Sequence, residues 1–224
     1  MATSVFADAG KSLIDCPIGE DRISCLSGQD NRLPEIRPGF MLRNGRSHAA
    51  YLASGILFGL FLVLSISTGY CFELKTGHAT IVYGKEELLR EFNKEVSLGS
   101  LSFLVRGKKS GTVEDEVINK IDAVIEKVEA VLEMFPKNLK LTLMLLASQK
   151  EVQRIYSEKY GISVDYIAFY SRRYETIYIS VDDAHIGVLA HEISHAIMDH
   201  YFGVPPPAKI NEVLGQFVEI HLED

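Results

Sequence analysis

The 224-residue chain is poor in cysteine and has no excess of positive charge. Its three cysteines are too few for a disulfide framework, and no two of them have the CxxC spacing of a zinc knuckle. The net charge of −7 lies entirely after residue 72. An acidic C-terminal part argues against a nucleic-acid partner, because nucleic-acid surfaces attract basic proteins.

The first 46 residues have no sustained hydrophobic period and contain several glycines and prolines. This composition predicts an irregular N-terminal segment. Met41 is followed closely by Arg43 and Arg46, which is the pattern of a translation start with a basic leader. A second hypothesis is therefore that residues 1–40 are not translated and the chain starts at Met41.

Residues 47–72 contain no aspartate, glutamate, lysine or arginine and are rich in Leu, Ile, Phe, Ala and Gly. A helix of about 20 such residues is long enough to cross a bilayer. Because Arg43 and Arg46 precede this stretch and Glu73 follows it, the positive-inside rule places the C-terminal part outside the cytoplasm. Residues 47–72 are therefore predicted to be a single transmembrane helix or, alternatively, a signal peptide cleaved near residue 70.

The remainder, residues 73–224, contains the string His191-Glu192-Ile193-Ser194-His195. Residues four apart on a helix share one face, so His191 and His195 would present two imidazoles to one metal ion, with Glu192 beside them. Catalytic zinc takes three protein ligands and one water, and a neighbouring carboxylate accepts the proton of that water. Glu192 is the candidate for this general base.

The context of this motif predicts a buried helix. Apolar residues cover nearly all of its circumference, and Asp182 or Asp183 is placed to cap its start. Two histidines and a glutamate inside such a helix would be costly to bury unless they bound a metal ion. His200 lies nine residues after His191 and is expected to face away from the metal.

A third ligand must come from elsewhere in the chain. After the proline-rich turn at residues 205–207, Asn211 and Glu212 are predicted to begin another helix. Glu212 is the candidate ligand, because it is near the turn that brings this helix back to the first. Glu219, seven residues further on, lies on the same face and is the rival.

This order of motifs resembles the gluzincin branch of the zincin metallopeptidases, especially its small single-domain peptidase-MA-like members. The order is HExxH, a short connection and then Pro-x-x-x-Asn-Glu. The resemblance extends from about Ile167 to Glu219. It implies an α+β zincin-like domain over residues 73–224, with a mixed sheet, a metal helix and a ligand helix. It also implies that zinc is held by His191, His195 and Glu212, and that Glu192 is the base.

Three positions depart from the pattern of that family. Lys209 and Val213 occupy positions where a tryptophan and a glycine are common, and Gln216 stands where the family usually has an acidic residue. Gln216 is four residues after Glu212, so the two share a helix face. We therefore expect Gln216 to hydrogen-bond the outer nitrogen of a zinc-binding imidazole.

Elsewhere, local patterns predict further strands and helices. The predicted strands are residues 78–83, 101–105, 139–146, 164–170 and 174–181. One predicted helix begins after Thr112 and ends at Pro136. A second covers residues 149–160 and is closed by Gly161. By the same resemblance, the edge strand that binds an extended substrate is Ile167, Ala168, Phe169 and Tyr170.

The functional prediction is a zinc-dependent endopeptidase that acts on a peptide or protein substrate outside the cytoplasm. Tyr201 and His221 are candidate donors to the oxyanion of the transition state. Three alternatives stay open: an inactive zinc-binding module that holds peptides, a chaperone-like module, and a zinc hydrolase that acts on non-peptide amides. An intact Glu192 favours catalysis over binding alone, since binding has no use for a base.

Overall fold

The computed structural model describes residues 12–15, 70–204 and 206–224. Its centre is a six-stranded sheet with the order β1-β2-β3-β4-β6-β5, in which β3, β4 and β6 are parallel and the other pairs are antiparallel. The strands are β1 (Ser12–Asp15), β2 (Tyr70–Lys75), β3 (Thr80–Tyr83), β4 (Thr142–Leu146), β5 (Ala168–Ser171) and β6 (Thr176–Ser180). The molecule is therefore α+β with a mixed sheet, and β5 is an edge strand.

Five α-helices accompany the described sheet. They are α1 (Glu86–Glu95), α2 (Val113–Leu132), α3 (Gln149–Tyr160), α4 (Ile186–Phe202) and α5 (Ala208–His221). Two short 3₁₀ helices cover Gly99–Val105 and Arg172–Tyr174. The predicted bounds of α3 are confirmed, because Gly161 closes this helix in a left-handed conformation with φ of 72°.

The start of α2 is confirmed as well, since the Thr112 hydroxyl accepts a 3.1 Å hydrogen bond from the backbone N–H of Asp115. Its end differs from the prediction. The helix stops at Leu132 because Glu133 adopts the left-handed conformation, with φ of 54°. Pro136 therefore follows the helix end and does not cause it.

The main core lies between one face of the sheet and helices α2 and α4. Ile81, Leu143 and Ile177 on three neighbouring strands are almost fully buried in this layer, as are Ile121 of α2 and Ile193 of α4. Helix α3 contacts β4, β5 and β6. Since Met144 and Tyr178 on the alternate positions are buried too, the central strands are covered on both faces, as parallel strands usually are.

Two local predictions were wrong. Residues 101–105 are part of a 3₁₀ helix and not a strand; only Leu101 is buried, whereas Phe103 is 59% exposed. A short apolar run cannot distinguish these structures by itself. The cap of α4 is His185, whose Nδ1 accepts from the Val188 backbone N–H at 3.3 Å. Asp183 instead accepts a 2.8 Å hydrogen bond from the Ser180 hydroxyl.

The N-terminal predictions are only partly within the described residues. Ser12–Asp15 form strand β1, so this part of the 1–46 segment is not irregular, and residues 70–72 belong to β2 and not to a membrane segment. The rest of residues 1–46, the Met41 start and residues 47–69 lie outside the described residues. Among the helices that are described, none combines the length and the apolar character needed to span a bilayer.

The pairing of β1 with β2 bears on the predicted topology. Ile14 lies opposite Cys71 in an antiparallel register, so the two strands are on the same side of any membrane. A chain that crosses a bilayer once between residues 15 and 70 cannot form this pair. Therefore the β1 pairing and an uncleaved single-pass anchor at residues 47–72 exclude each other.

Candidate metal centre

Helix α4 brings the two histidines of the HExxH motif together. Their spacing of four residues places the two imidazole rings on one face, with centroids 4.8 Å apart. His195 is 9% exposed, and His191 is partly buried. Burial and the neighbouring His191 lower the pKa of His195, so this imidazole stays neutral near pH 7. A neutral imidazole is the form that binds a metal ion.

Helix α5 crosses α4 closely enough to bring Glu212 to these histidines. The crossing depends on Gly215, because a Cβ at this position would lie 2.8 Å from Cε1 of His191. A second glycine, Gly187 of α4, faces Glu219; a Cβ there would lie 3.3 Å from Cγ of Glu219. The absence of side chains at both glycines allows the two helices to approach each other.

The three predicted ligands meet at one point. Glu212 Oε2 is 3.5 Å from His191 Nε2, and Glu212 Oε1 is 3.7 Å from His195 Nε2. Ligand atoms of these residues all lie within 4.8 Å of one another. Zinc ligands at about 2.0–2.1 Å in a tetrahedron are roughly 3.4 Å apart. Two imidazoles and one carboxylate are ligands that zinc accepts, and the two distances to Glu212 are close to this spacing.

Glu192 lies between this cluster and the edge strand. Its Oε2 accepts a 2.7 Å hydrogen bond from the backbone N–H of Tyr170 in β5. Burial raises the pKa of Glu192 to about 7, the Tyr170 hydrogen bond opposes this rise, and the Glu212 carboxylate adds to it. A carboxylate with a pKa near neutrality is suited to act as a general base and then as an acid.

The outer nitrogens of the imidazoles have different surroundings from those predicted. Gln216 is exposed, and the side chain that lies beside Nδ1 of His191 is Glu219, with its Oε2 at 3.8 Å. The role expected for Gln216 is therefore better filled by Glu219, one helical turn later. Nδ1 of His195 and the side-chain oxygen of Asn211 are both buried, and the Asn211 side chain interacts with His195 in a way that raises the pKa of this imidazole, against the larger effect of burial. Asn211 is therefore the outer partner of the His195 imidazole.

A second polar network, which sequence reasoning missed, joins β5 to the last turns of α4. The Tyr170 hydroxyl donates to Asp199 Oδ2 at 3.1 Å, and Arg172 Nε lies 2.7 Å from Asp199 Oδ1. Arg172 also donates to the carbonyl of Gly203 at 3.3 Å. Burial, together with Asp199, raises the pKa of Tyr170 above its usual range, so this phenol stays protonated and holds the edge strand to the metal helix.

Two cavities border the cluster. The larger has a volume of about 440 Å³ and is lined by the metal-centre residues and by aromatic side chains that include Tyr156 and Tyr166. The smaller, of about 220 Å³, is lined by residues that include Arg172 and Asn211. Glu212 and His195 border both cavities, so the cluster is open to a ligand from two sides.

The structure does not bring the two predicted oxyanion donors to these cavities. Tyr201 is 50% exposed and its ring contacts Phe202 with centroids 5.2 Å apart. The Nδ1 of His221 is 2.6 Å from Asp224 Oδ2, and its ring packs on Phe217. Neither residue lines either cavity. The predicted edge-strand residues do reach the site: Ala168, Phe169 and Tyr170 line the larger cavity, and Ile167 immediately precedes β5.

Comparisons with protein-family models, with curated proteins and with solved structures find no match for this chain. The site is therefore interpreted from its own geometry. That geometry consists of two histidines and a glutamate with converging ligand atoms, a buried carboxylate beside them, and an edge strand that contacts this carboxylate.

Proposed function

We propose that the chain is a zinc-dependent metalloendopeptidase. One observation carries this proposal: Glu212, which is 17 residues from His195 and on a different helix, has one carboxylate oxygen near the Nε2 atom of each histidine, at 3.5 and 3.7 Å. Glu192, the residue after His191, lies beside this convergence and contacts the edge strand. Three protein ligands leave a fourth position for catalysis, whereas structural zinc sites use four.

The residues of the site divide the chemistry between them. His191, His195 and Glu212 hold the ion, which when bound lowers the pKa of water and polarises a carbonyl group. Glu192, held by the Tyr170 N–H, removes a proton from the attacking water and later gives it to the leaving amine. Its pKa of about 7 suits both transfers, because near neutral pH the Glu192 carboxylate can accept a proton and can also give it up.

The edge strand is suited to hold an extended peptide. The Ser180 N–H donates to the Ile167 carbonyl at 2.9 Å, so in this antiparallel register Ile167 and Phe169 point their backbone groups toward β6. Ala168 and Tyr170 consequently point their backbone groups away from β6, toward the side of β5 where the described part of the chain has no further strand. Because Glu192 occupies the Tyr170 N–H, Ala168 offers the N–H and carbonyl to which a substrate strand pairs.

The proposed site of action is outside the cytoplasm. This proposal rests on the uncharged stretch at residues 47–72 and the basic residues before it. Both forms of this proposal conflict with the pairing of β1 with β2, because an uncleaved anchor separates the two strands and cleavage near residue 70 removes Ser12–Asp15.

A second candidate function is the holding of peptides without hydrolysis. The open edge of β5 and the aromatic cavity next to it favour this candidate, since both would bind an extended segment whether or not the bond is cleaved. It does not explain Glu192, because a buried carboxylate with a raised pKa costs stability and adds nothing to peptide binding.

The test compares the purified exported part with its Glu192→Gln variant. We expect the parent to contain about one zinc ion per chain and to hydrolyse casein, with activity lost in a chelator and restored by Zn²⁺. Glu192→Gln should keep the metal and lower turnover at least ~10²-fold, the usual scale for the loss of a general base. Glu87→Gln, an exposed glutamate of α1, is the control. Zinc binding without any hydrolysis would favour the peptide-holding function.

A further inference from the structure

The outward face of α5 carries a stripe of exposed apolar side chains, which we call the α5 stripe. Its members are Ile210, Val213, Phe217 and Ile220. They are between 44% and 73% exposed. The opposite face of α5 packs on α4, where Gly215 and Val218 are buried. A helix with one buried face normally has polar residues on the other, so an apolar outward face is suited to a partner.

The spacing of the α5 stripe is that of a helix-to-helix seam. The steps from Ile210 to Ile220 are three, four and three residues. These are the steps between the a and d positions of a coiled-coil heptad. Apolar residues scattered singly over a surface are ordinary, but they do not keep this spacing. The partner that the stripe fits is therefore another helix with a matching seam.

A second copy of α5 supplies such a seam. The stripe is symmetric about residue 215, because Ile210 and Ile220 are five residues to either side of it and Val213 and Phe217 are two. Two antiparallel copies related by a two-fold axis near residue 215 would pair Ile210 with Ile220 and Val213 with Phe217. Each pair occurs twice, as an interface between identical surfaces requires.

The charges beside the stripe favour the antiparallel direction. Lys209 and Glu223 are exposed and are two heptads apart, so they lie on the same flank of the stripe near its two ends. An antiparallel pair places Lys209 of one copy near Glu223 of the other, and the two-fold axis repeats this contact. A parallel pair would bring the two lysines to the same end and the two glutamates to the other.

A lipid surface is a poorer match for this helix. Residues 208–224 include four acidic residues and one lysine. Helices that lie on membranes usually have lysine and arginine on their polar face, because membrane surfaces are commonly anionic. The charges around the stripe would therefore oppose membrane binding, whereas they complement those of a second antiparallel copy.

From these observations we propose that the α5 stripe is a homodimer interface in which the α5 helices of two copies pack antiparallel. The proposal does not depend on the proposed function, since none of the four stripe residues lines either cavity at the metal centre. A helix of 14 residues is only about 21 Å long. The interface is therefore small, and we expect a dissociation constant in the micromolar range, about 1–100 μM.

Sedimentation of the full chain in a mild detergent, over this concentration range, tests the interface. Phe217→Lys should weaken the dimer at least tenfold, because it places a charge in the middle of the seam. Phe103→Lys is the control, since Phe103 is an exposed phenylalanine outside α5 and its substitution should leave the dimer unchanged. A parent that stays monomeric, or a dimer that Phe217→Lys does not weaken, would overturn the proposal.

A charge exchange tests the antiparallel direction. Lys209→Glu and Glu223→Lys should each weaken self-association about tenfold, because each variant places like charges at both ends of the seam. An equal mixture of the two variants should dimerise as the parent does, since each contact then joins a lysine to a glutamate. A mixture that associates no better than either variant alone would overturn the antiparallel pairing.

Thiol labelling of the Ile220→Cys variant identifies what covers the stripe. We expect a maleimide to react with position 220 more slowly as the protein concentration rises through the dimer range. Slow labelling of a monomer would show that another segment of the same chain covers the stripe. Protection only by vesicles of phosphatidylcholine and phosphatidylglycerol would show a membrane-binding face. Either of these two results would overturn the homodimer.

Discussion

The backbone N–H of Tyr170 donates a 2.7 Å hydrogen bond to Glu192 Oε2. This contact joins the edge strand directly to the proposed general base. It orients the carboxylate and favours its charged form, against the effect of burial. Because the next open backbone groups on the strand are those of Ala168, a paired substrate would lie at a fixed distance from the base.

The first prediction concerns the pH dependence of stability in the metal-free protein. The pKa of Glu192 is raised from 4.5 to about 7 in the folded state, so the folded state binds this proton more tightly than the unfolded chain. The associated stability is present below pH 4.5 and is lost as the pH rises through 7. Glu192→Gln should therefore become more stable relative to the parent, on the order of 2 kcal/mol, between pH 5 and pH 8.

Urea unfolding at pH 5 and at pH 8 measures this difference. Protonation of His195, whose pKa is lowered, occurs in both proteins and cancels in the comparison. Glu87→Gln, a substitution at an exposed position of α1, is the matched control. A stability difference between Glu192→Gln and the parent that is the same at both pH values would show that Glu192 does not titrate with a raised pKa.

The second prediction concerns the ligand set. Glu212→Ala removes the carboxylate that faces both Nε2 atoms and should weaken zinc binding by at least ~100-fold. Glu219→Ala removes only the carboxylate beside Nδ1 of His191 and should weaken it about tenfold, the lower end of the range for outer partners. Competition with a chromophoric chelator gives both values. If Glu219→Ala has the larger effect, the assignment of Glu212 as the third ligand is wrong.

The third prediction concerns Gly215. Alanine in a helix interior is normally favoured over glycine by ~1 kcal/mol. At Gly215, however, the added Cβ would lie 2.8 Å from the His191 ring, so the ring or the helix must move. We expect Gly215→Ala to lower the melting temperature and to weaken zinc binding at least tenfold. Gly84→Ala adds a methyl group where no atom lies within 4 Å and should leave both quantities unchanged. An unperturbed Gly215→Ala variant would contradict the close crossing of α4 and α5.

The fourth prediction concerns topology. A reporter fused after Asp224 should be exported, and deletion of residues 47–69 should retain it in the cytoplasm. A cytoplasmic reporter on the complete chain would overturn both the anchor and the signal-peptide hypotheses. Mass spectrometry of the mature protein locates its N-terminus and then decides between the anchor and the signal peptide. A mature protein that keeps residues 12–15 and also crosses the membrane once would contradict the pairing of β1 with β2.

The sequence alone determined the features that depend on neighbours a few residues away. The extent of α3, the Thr112 cap of α2, and the shared face of His191 and His195 follow from helical periodicity and capping, which are local. Glu212 was also predicted from sequence, by its place near the proline-rich turn and by the resemblance to a family pattern. A period of 3.6 residues places side chains on a face and does not specify which other helix they meet.

The tertiary structure decided what surrounds the metal cluster. Glu219, and not Gln216, lies beside His191 because α4 and α5 cross at Gly215. The hydrophobic pattern of a single helix does not specify the angle at which it crosses another helix. The contact of Tyr170 with Glu192, the Asp199 and Arg172 network, and the placement of Tyr166 beside the cluster are likewise long-range. Tyr201 and His221 were predicted to be oxyanion donors because of their residue type. Residue type does not specify where a side chain lies in the fold, and both side chains contact other residues instead.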